Sequence, residues 1–372
     1  MTFKFKDSSI LDLINREYKQ EDFTKVLNKE NIKLEDFAVL ICSDLHDTNY
    51  YELLASRARD ITLKRFGRVK GLYIPLYLSN YCSNECVYCG FSIGNKVERT
   101  TLSKTQIEQE LKEIWQKGFR NVLLVSGERD HFKNIDYLTQ AVNIAYRMGF
   151  HSISIELGAL DKNASQKITQ NGAESFVLYQ ETYHKETYKK VHLKGLKTDY
   201  DFRLNGDTRA LDSGFRKVTL GFLGGLFDAR FEALAMYLHI DYLRKKYWDK
   251  EFGISIPRIT KAFGVNTEKY SLDNKLYARI LMAFRLVFPD ITISLSTRES
   301  ENFRDGMVDI CATHLSVESK TVPGGYYESN TDDLEQFDVR DNRTVPEIIV
   351  TLQKKGYDVH LKDWERDLNE RV

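Results

Sequence analysis

From Leu72 onward, short apolar runs alternate with longer amphipathic segments, and this alternation restricts the chain to very few architectures. The candidate strands are Leu72–Leu78, Asn121–Val125, Ser152–Leu157, Ser175–Leu178, Lys217–Leu220, Ile254–Pro257, Thr292–Leu295 and Asp309–His314. Between them, segments such as Ser103–Lys117, Asn134–Met148 and Asp228–Tyr247 carry apolar residues at spacings of three and four, the period of a helix packed on one face. Strands that alternate with helices pair in parallel. Eight such units predict an α/β fold, a (β/α)8 barrel of TIM type, whose functional residues sit at the carboxyl ends of the strands. Residues 1–70 read as a helical extension, with Glu21–Lys29 and Asn49–Phe66 as helices and Gly67 as a C-cap. The barrel is expected over residues 71–325 and a short tail packing on it over 326–372, with a helix at Val345–Lys355 and an end at Lys362-Asp363-Trp364.

The 372 residues carry 54 basic and 54 acidic side chains, so electrostatics offers no reason to expect a nucleic acid or an anionic membrane as partner. No apolar stretch approaches the roughly 20 residues of a membrane span. Met1–Asp7 lacks the apolar region of a secretory signal, so a cytoplasmic location is expected. Five cysteines in a reducing compartment argue against a disulfide framework.

Cys82, Cys86 and Cys89 lie within Tyr81-Cys82-Ser83-Asn84-Glu85-Cys86-Val87-Tyr88-Cys89-Gly90-Phe91. Thiolates suit zinc or an iron–sulfur cluster. A structural zinc site wants four ligands. Here there are three, and the flanking histidines, His46 and His131, are distant. A cubane held by three protein thiolates keeps one iron open for an exogenous ligand, as a catalytic cluster requires. A non-catalytic iron–sulfur or zinc protein is the alternative of a different class, and the missing fourth cysteine weighs against it. Cys42 and Cys311 read as packing residues.

This Cys-x-x-x-Cys-x-x-Cys segment, with Tyr88 before the last cysteine and Phe91 two residues after it, resembles the radical S-adenosylmethionine superfamily. The resemblance implies a 4Fe–4S cluster whose open iron is chelated by the methionine part of S-adenosylmethionine, with Tyr88 and Phe91 beside the cofactor. Ser126-Gly127-Glu128 resembles the Gly-Gly-Glu segment that binds the methionine ammonium, with serine in place of the first glycine. Glu156 ends an otherwise apolar strand, where an acid needs a partner, and ribose hydroxyls would provide one. Gly221, in Leu220-Gly221-Phe222-Leu223-Gly224-Gly225, resembles the adenine-contacting turn.

Further blocks narrow the resemblance. Tyr77-Leu78-Ser79-Asn80, Tyr179–His184, His192–Gly195, Leu295–Ser300, Ser319–Tyr326, Glu335-Gln336-Phe337 and Lys362-Asp363-Trp364 look like the tyrosine lyases of thiamine thiazole biosynthesis, the 2-iminoacetate synthases. That family takes a hydrogen from the amino group of L-tyrosine and breaks its Cα–Cβ bond, giving 2-iminoacetate (dehydroglycine) and a fragment that ends as p-cresol. Arg298 is the expected clamp on the tyrosine carboxylate, because a guanidinium matches a carboxylate bidentately. Ser316, Ser319 and Tyr77 are further substrate contacts, His184 is a candidate proton donor near the phenol, and Gln180 and Glu181 help hold the cofactor. Thiazole synthase is the implied protein partner and a flavodoxin or ferredoxin the implied electron donor. The tyrosine lyase of FeFe-hydrogenase maturation, or another aromatic amino-acid lyase, is the alternative within the class. The maturation enzyme carries a second, cysteine-bound cluster towards its C-terminus, and no cysteine follows Cys311 here.

Overall fold

The computed structural model describes residues 2–45, 47–129, 131–265, 270–327 and 336–362. Glu335, Asp363 and Trp364 of the blocks above lie outside the described residues. The strands are β1 (Val69–Tyr73), β2 (Pro75–Ser79), β3 (Glu85–Cys86), β4 (Asn121–Ser126), β5 (Ser152–Glu156) and β6 (Ser175–Glu181). They continue with β7 (His192–Lys194), β8 (Lys217–Phe222), β9 (Glu251–Ser255), β10 (Thr292–Leu295), β11 (His314–Ser316) and β12 (Asp358–His360). Ten of them form one parallel sheet in the order β12-β1-β11-β10-β9-β8-β6-β5-β4-β2.

The first expected strand is split in two, and the split joins the ends of the sheet. β1 pairs with β11 through Gly71 and His314, while β2 pairs with β4 through Tyr77 and Val125. Both halves belong to one segment, so the sheet curls until its ends meet there, and β1/β2, β4, β5, β6, β8, β9, β10 and β11 ring the axis. Pro75, at the break, has no N–H to give to a ladder. The neighbouring Ile74 carbonyl accepts from the Leu123 N–H at 3.0 Å. The tail adds a strand to the barrel as well as packing on it: Val69 pairs with Asp358, and the Arg120 N–H donates to the Leu361 carbonyl at 2.8 Å. β12 thus fills the seam at the amino ends of β1 and β4.

Two strand positions differ from expectation. β9 begins at Glu251, earlier than expected. The run near Asp309 belongs to the helix Glu301–Ile310, and β11 begins only at His314. Val308 and Ile310 are apolar in either reading, and so short a run does not separate helix from strand. Several barrel helices start on a side chain that caps them: Ser103 accepts from the Gln106 N–H at 3.3 Å, Asp161 from Ala164 at 2.8 Å, and Asp273 from Leu276 at 2.8 Å.

The extension folds as α1 (Asp7–Ile14), α2 (Gln20–Leu27), α3 (Leu34–Cys42) and α4 (Thr48–Phe66). Gly67 closes α4 at φ 58°, its N–H bonded to the Leu63 carbonyl at 2.9 Å, as expected of a C-cap. α3 and α4 pack on the barrel helix Asn274–Val287. The buried Arg279 of that helix donates to the carbonyls of Leu40 and Ser43 at the end of α3, a cation satisfying open carbonyls. The extension therefore covers the flank of the barrel.

At the barrel's carboxyl side, Arg304 and Asp341 form an ion pair with both side chains fully buried, and Arg304 also donates to the Ser316 carbonyl. It ties the tail to the end of β11. Removing one partner of a buried pair leaves an uncompensated charge and costs about 3–5 kcal/mol. Asp341→Ala is expected to lose that much stability in urea denaturation, and a loss below about 1 kcal/mol would show the tail to be weakly coupled to the barrel.

Candidate active site

The cysteine loop leaves the end of β2 and is fastened at several points. The Ser83 N–H and hydroxyl both donate to the Glu128 carbonyl, at 2.8 and 2.9 Å. Asn84 donates through Nδ2 to the Glu128 carboxylate at 2.7 Å and accepts from the Lys197 N–H at 2.9 Å. β3, which contains Cys86, pairs antiparallel with β7. Arg99 closes the far side, its guanidinium donating to the carbonyls of Asn80, Phe91 and Ser92 at 2.6, 2.9 and 2.7 Å. Gly127 lies so close beneath the loop that a Cβ there would stand 2.2 Å from the Tyr81 carbonyl oxygen and 3.2 Å from Cys82 Cβ.

Among the described residues, no three His, Cys, Asp or Glu side chains gather closely enough to hold a single metal ion. Three thiolates on a cubane each bind a different iron and need not converge on one point. The three-thiolate donor set therefore fits a 4Fe–4S cluster. Burial raises the Cys82 thiol and pushes that of Cys86 up to about 12. Such thiols keep their protons until a metal replaces them. Cys82 Sγ accepts from the Asn84 N–H at 3.4 Å, and Cys89 Sγ from Gln336 Nε2 at 3.7 Å. Both contacts suit sulfurs that carry negative charge when metal is bound.

A cavity at the carboxyl ends of the strands gathers many of the expected residues. Tyr77, Tyr88, Cys89, Glu156, Glu181, Arg298, Ser316 and Ser319 all line it, together with Tyr73, Tyr179, Lys197, Gln336 and Phe337. A larger cavity opens at the amino ends of the strands, lined by hydroxyls such as Ser152, Ser175 and Thr219. It holds neither a cysteine nor a candidate guanidinium, so it is not the site of this chemistry. Tyr73 and Tyr179 line both and form part of the wall between them.

The charges in the first cavity divide into satisfied and available groups. Glu181 stands at φ 69°. Its Oε1 accepts from Lys197 Nζ at 2.6 Å and Arg203 Nη2 at 3.4 Å. Burial opposes ionisation of Glu181, but Lys197 and Arg203 outweigh it and lower its pKa. Glu156 has no hydrogen-bond partner among the described residues, and burial and then the Glu181 charge raise its pKa to about 7. Arg298 has no carboxylate partner among the described residues. Its neighbour Glu299 is taken by Arg258, while the Arg298 guanidinium lies 3.4 Å from the centre of the Phe337 ring. The Ser319 hydroxyl has no hydrogen-bond partner among the described residues, whereas Ser316 Oγ accepts from the Thr297 N–H at 3.0 Å. Beside this cavity, Gln180 Nε2 is buried with no hydrogen-bond partner among the described residues, and Arg203 Nη1 lies 3.8 Å from the Glu128 carboxylate. A carboxylate and a hydroxyl without partners among the described residues, and a guanidinium bonded only to the Arg258 carbonyl, line one cavity and fit a ligand that carries both hydroxyls and an amino-acid group.

Several expected residues serve the frame. Glu128 is buried, and its carboxylate accepts from Asn84 and from the Ala159 N–H at 3.2 Å, so it braces the cysteine loop. Ser126 Oγ donates to the Gly127 carbonyl at 3.1 Å, and the Gly127 N–H donates to the Ser79 carbonyl at 3.0 Å. Phe91 packs edge-on against Tyr77, ring centres 6.0 Å apart. Two expected residues have packing roles. Gly221 lies within β8, where a Cβ would meet the Ser255 carbonyl at 2.1 Å and the Tyr179 ring at 2.5 Å, so the close approach of these neighbours requires glycine. His184 is outside the cavity. It caps the helix Lys185–Val191, accepting from the Thr187 N–H at 3.3 Å, and stacks on Phe227 with centres 3.9 Å apart. Sequence reasoning missed Arg99, Asn84, Lys197, Arg203 and Gln336. Gln336 and Asn84 had a signal, one inside the singled-out block Glu335-Gln336-Phe337 and the other inside the cysteine segment.

Comparison with known proteins agrees with this geometry. Residues 76–238 match the Radical SAM superfamily, and residues 255–358 match the Biotin and Thiamin Synthesis associated domain. The chain is 36% identical to the 2-iminoacetate synthase of Escherichia coli (strain K12), over 92% of this chain and 90% of that protein. It superimposes on HydG, a maturase of the FeFe-hydrogenase, with a TM-score of 0.92 at 28% identity, covering 98% of this chain and 82% of that one. Methylornithine synthase (PylB) shares the fold, with a TM-score of 0.74 at 22% identity over 94% of this chain and 99% of that one.

Proposed function

The chain belongs to the 2-iminoacetate synthase family of radical S-adenosylmethionine lyases, and we propose that its cavity at the carboxyl ends of the strands is where L-tyrosine is bound and cut between Cα and Cβ. The products are 2-iminoacetate and p-cresol, for the thiazole part of thiamine. A 4Fe–4S cluster on Cys82, Cys86 and Cys89, with S-adenosylmethionine bound to it, supplies a 5′-deoxyadenosyl radical on one-electron reduction. The observation that carries the reading is Arg298, a guanidinium with no carboxylate partner among the described residues, in the same cavity as Cys89 and Glu156. HydG resembles the chain closely in fold, but the higher identity to a 2-iminoacetate synthase over nearly the whole chain favours the thiazole role.

The side chains divide the work. Arg298 takes the tyrosine carboxylate as a two-pronged donor, and the Phe337 ring holds the guanidinium plane in place. Ser319 adds a hydroxyl. Glu156 accepts from ribose hydroxyls, and Glu181, kept ionised by Lys197 and Arg203, faces the cationic end of the cofactor. Tyr77, Tyr88 and Tyr179 form apolar walls that limit water around the reacting atoms. With His184 outside the cavity, its tyrosines, Lys197 and Glu156 are groups within it that can exchange a proton with the phenol. Two further readings belong to the same proposal: a flavodoxin or ferredoxin delivers the electron, and thiazole synthase receives the imine, which otherwise hydrolyses to glyoxylate. Among the described residues no helix is long and apolar enough to cross a membrane.

An anaerobic assay of the reconstituted, reduced protein with L-tyrosine is expected to yield p-cresol, glyoxylate and 5′-deoxyadenosine. Turnover of tryptophan and none of tyrosine would refute the substrate. In Arg298→Lys, losing the bidentate contact is expected to raise KM for tyrosine about 10- to 100-fold, with the visible spectrum unchanged. An unaltered KM would remove Arg298 from the carboxylate role. Glu156 should be protonated below about pH 7, and the ionised form is the better acceptor. Cofactor affinity, measured by equilibrium dialysis with the cluster loaded, should therefore rise as pH increases through 7 and then level off. Glu156→Gln should bind with little pH dependence over that range; the same rise in the variant would assign the titration elsewhere.

A further inference from the structure

Two of the three cysteine sulfurs receive a donor from the protein, and the two donors differ in origin. That to Cys82 is the N–H of Asn84, two residues on in the same turn. That to Cys89 is the side-chain amide of Gln336, 247 positions away in the chain. Gln336 is held on both sides of its own backbone: its N–H donates to the Thr321 carbonyl at 3.0 Å, and its carbonyl accepts from the Gly90 N–H at 3.4 Å. The next residue is held too, Thr321 Oγ1 donating to the Phe337 carbonyl at 3.2 Å. The other end of the Gln336 amide, Oε1, accepts from the Tyr77 hydroxyl at 2.7 Å.

The orientation of this amide follows from its partners. A thiolate only accepts, so the NH2 group must face Cys89 and the carbonyl must face Tyr77. The phenolic hydrogen of Tyr77 is then committed to Gln336, and Tyr77 meets the cavity as an acceptor. A hydrogen bond to a cluster thiolate draws charge off the sulfur, which favours the reduced, more negative cluster and raises its potential. Meanwhile Phe337 lies against the Arg298 guanidinium. A single dipeptide from the tail therefore touches a cluster ligand on one side and the carboxylate clamp on the other.

We infer that Gln336 is a positioning residue that tunes the cluster through Cys89 and links that ligand to Tyr77 in the substrate cavity. The inference rests on the reading of Cys89 as a cluster ligand. If Gln336 only packed the tail on the cysteine loop, changing it would lower stability or metal uptake but leave the potential of loaded protein unaltered.

The test uses the full chain, reconstituted anaerobically without S-adenosylmethionine or tyrosine, with iron and sulfide counted per chain. The cluster potential is read by titrating the electron paramagnetic resonance signal of the reduced form. Gln336→Met has a similar volume and no donor, and its potential is expected to shift to more negative values. Tyr77→Phe removes only the bond on the far side of the amide and is expected to titrate with the parent. If Gln336→Met fails to hold a cluster, Gln336→Glu takes its place. It keeps the shape but sets a carboxylate against the sulfur, and it should shift the potential in the same direction. A loaded variant that titrates at the parent potential overturns the inference. A parent protein that takes up no cluster overturns instead the reading of the cysteines on which it rests.

Discussion

Ser83 donates twice to the backbone carbonyl of Glu128, and this clasp holds the cysteine loop on the end of β4. Much of the site follows from it. With Ser83 in place, Asn84 reaches the Glu128 carboxylate with its amide nitrogen and the Lys197 N–H with its amide oxygen. Lys197 then stands against Glu181 on the opposite wall. The chain of contacts runs from a backbone turn, through one asparagine, to the charge state of a carboxylate in the cavity. It also explains Gly127, since the clasp brings the Tyr81 carbonyl closer than any Cβ would allow.

The charges show how a buried site keeps some groups free for a ligand. Glu128 and Glu181 are neutralised within the protein by donors that reach them from the helical segment Leu196–Leu204 and from the cysteine segment. Glu156 and Arg298 receive no such partner, and Glu181 opposes the ionisation of Glu156. Groups whose environments push them apart in this way take different roles, one a fixed anion and one responsive to what binds. A fold that only sought stability would pair Glu156 with Arg298 or replace both with apolar side chains.

The strand pattern was readable because each barrel strand is short, apolar and bounded by a polar turn. Ser103, Asp161 and Asp273 then start the helices that follow. Arg298 was readable as a rim residue because it closely follows an apolar run ending at Leu295. His184 also follows a strand, but its ring stacks on Phe227, a contact between segments that no local pattern encodes, and it caps the helix that it precedes. At Gly221 glycine serves a close approach, and the close neighbours are Tyr179 and Ser255, which the local sequence does not reveal.

By itself the sequence determined the chemistry: three thiolates at a fixed spacing, with no fourth nearby, leave an iron open for a cofactor whatever the surroundings. The strand–helix alternation determined the barrel, because a parallel sheet is the way such units bury their apolar faces. Only the tertiary structure decided which charges lack an ionic partner, because Glu299 is taken by Arg258 and not by Arg298, and Lys197 takes Glu181 and not Glu156. It alone brought Gln336 from the tail to Cys89, and β12 into the seam between β1 and β4. Local pattern fixes which residues a segment presents; long-range packing decides what each of them meets, and a side chain's partner sets its charge, its orientation and therefore its role.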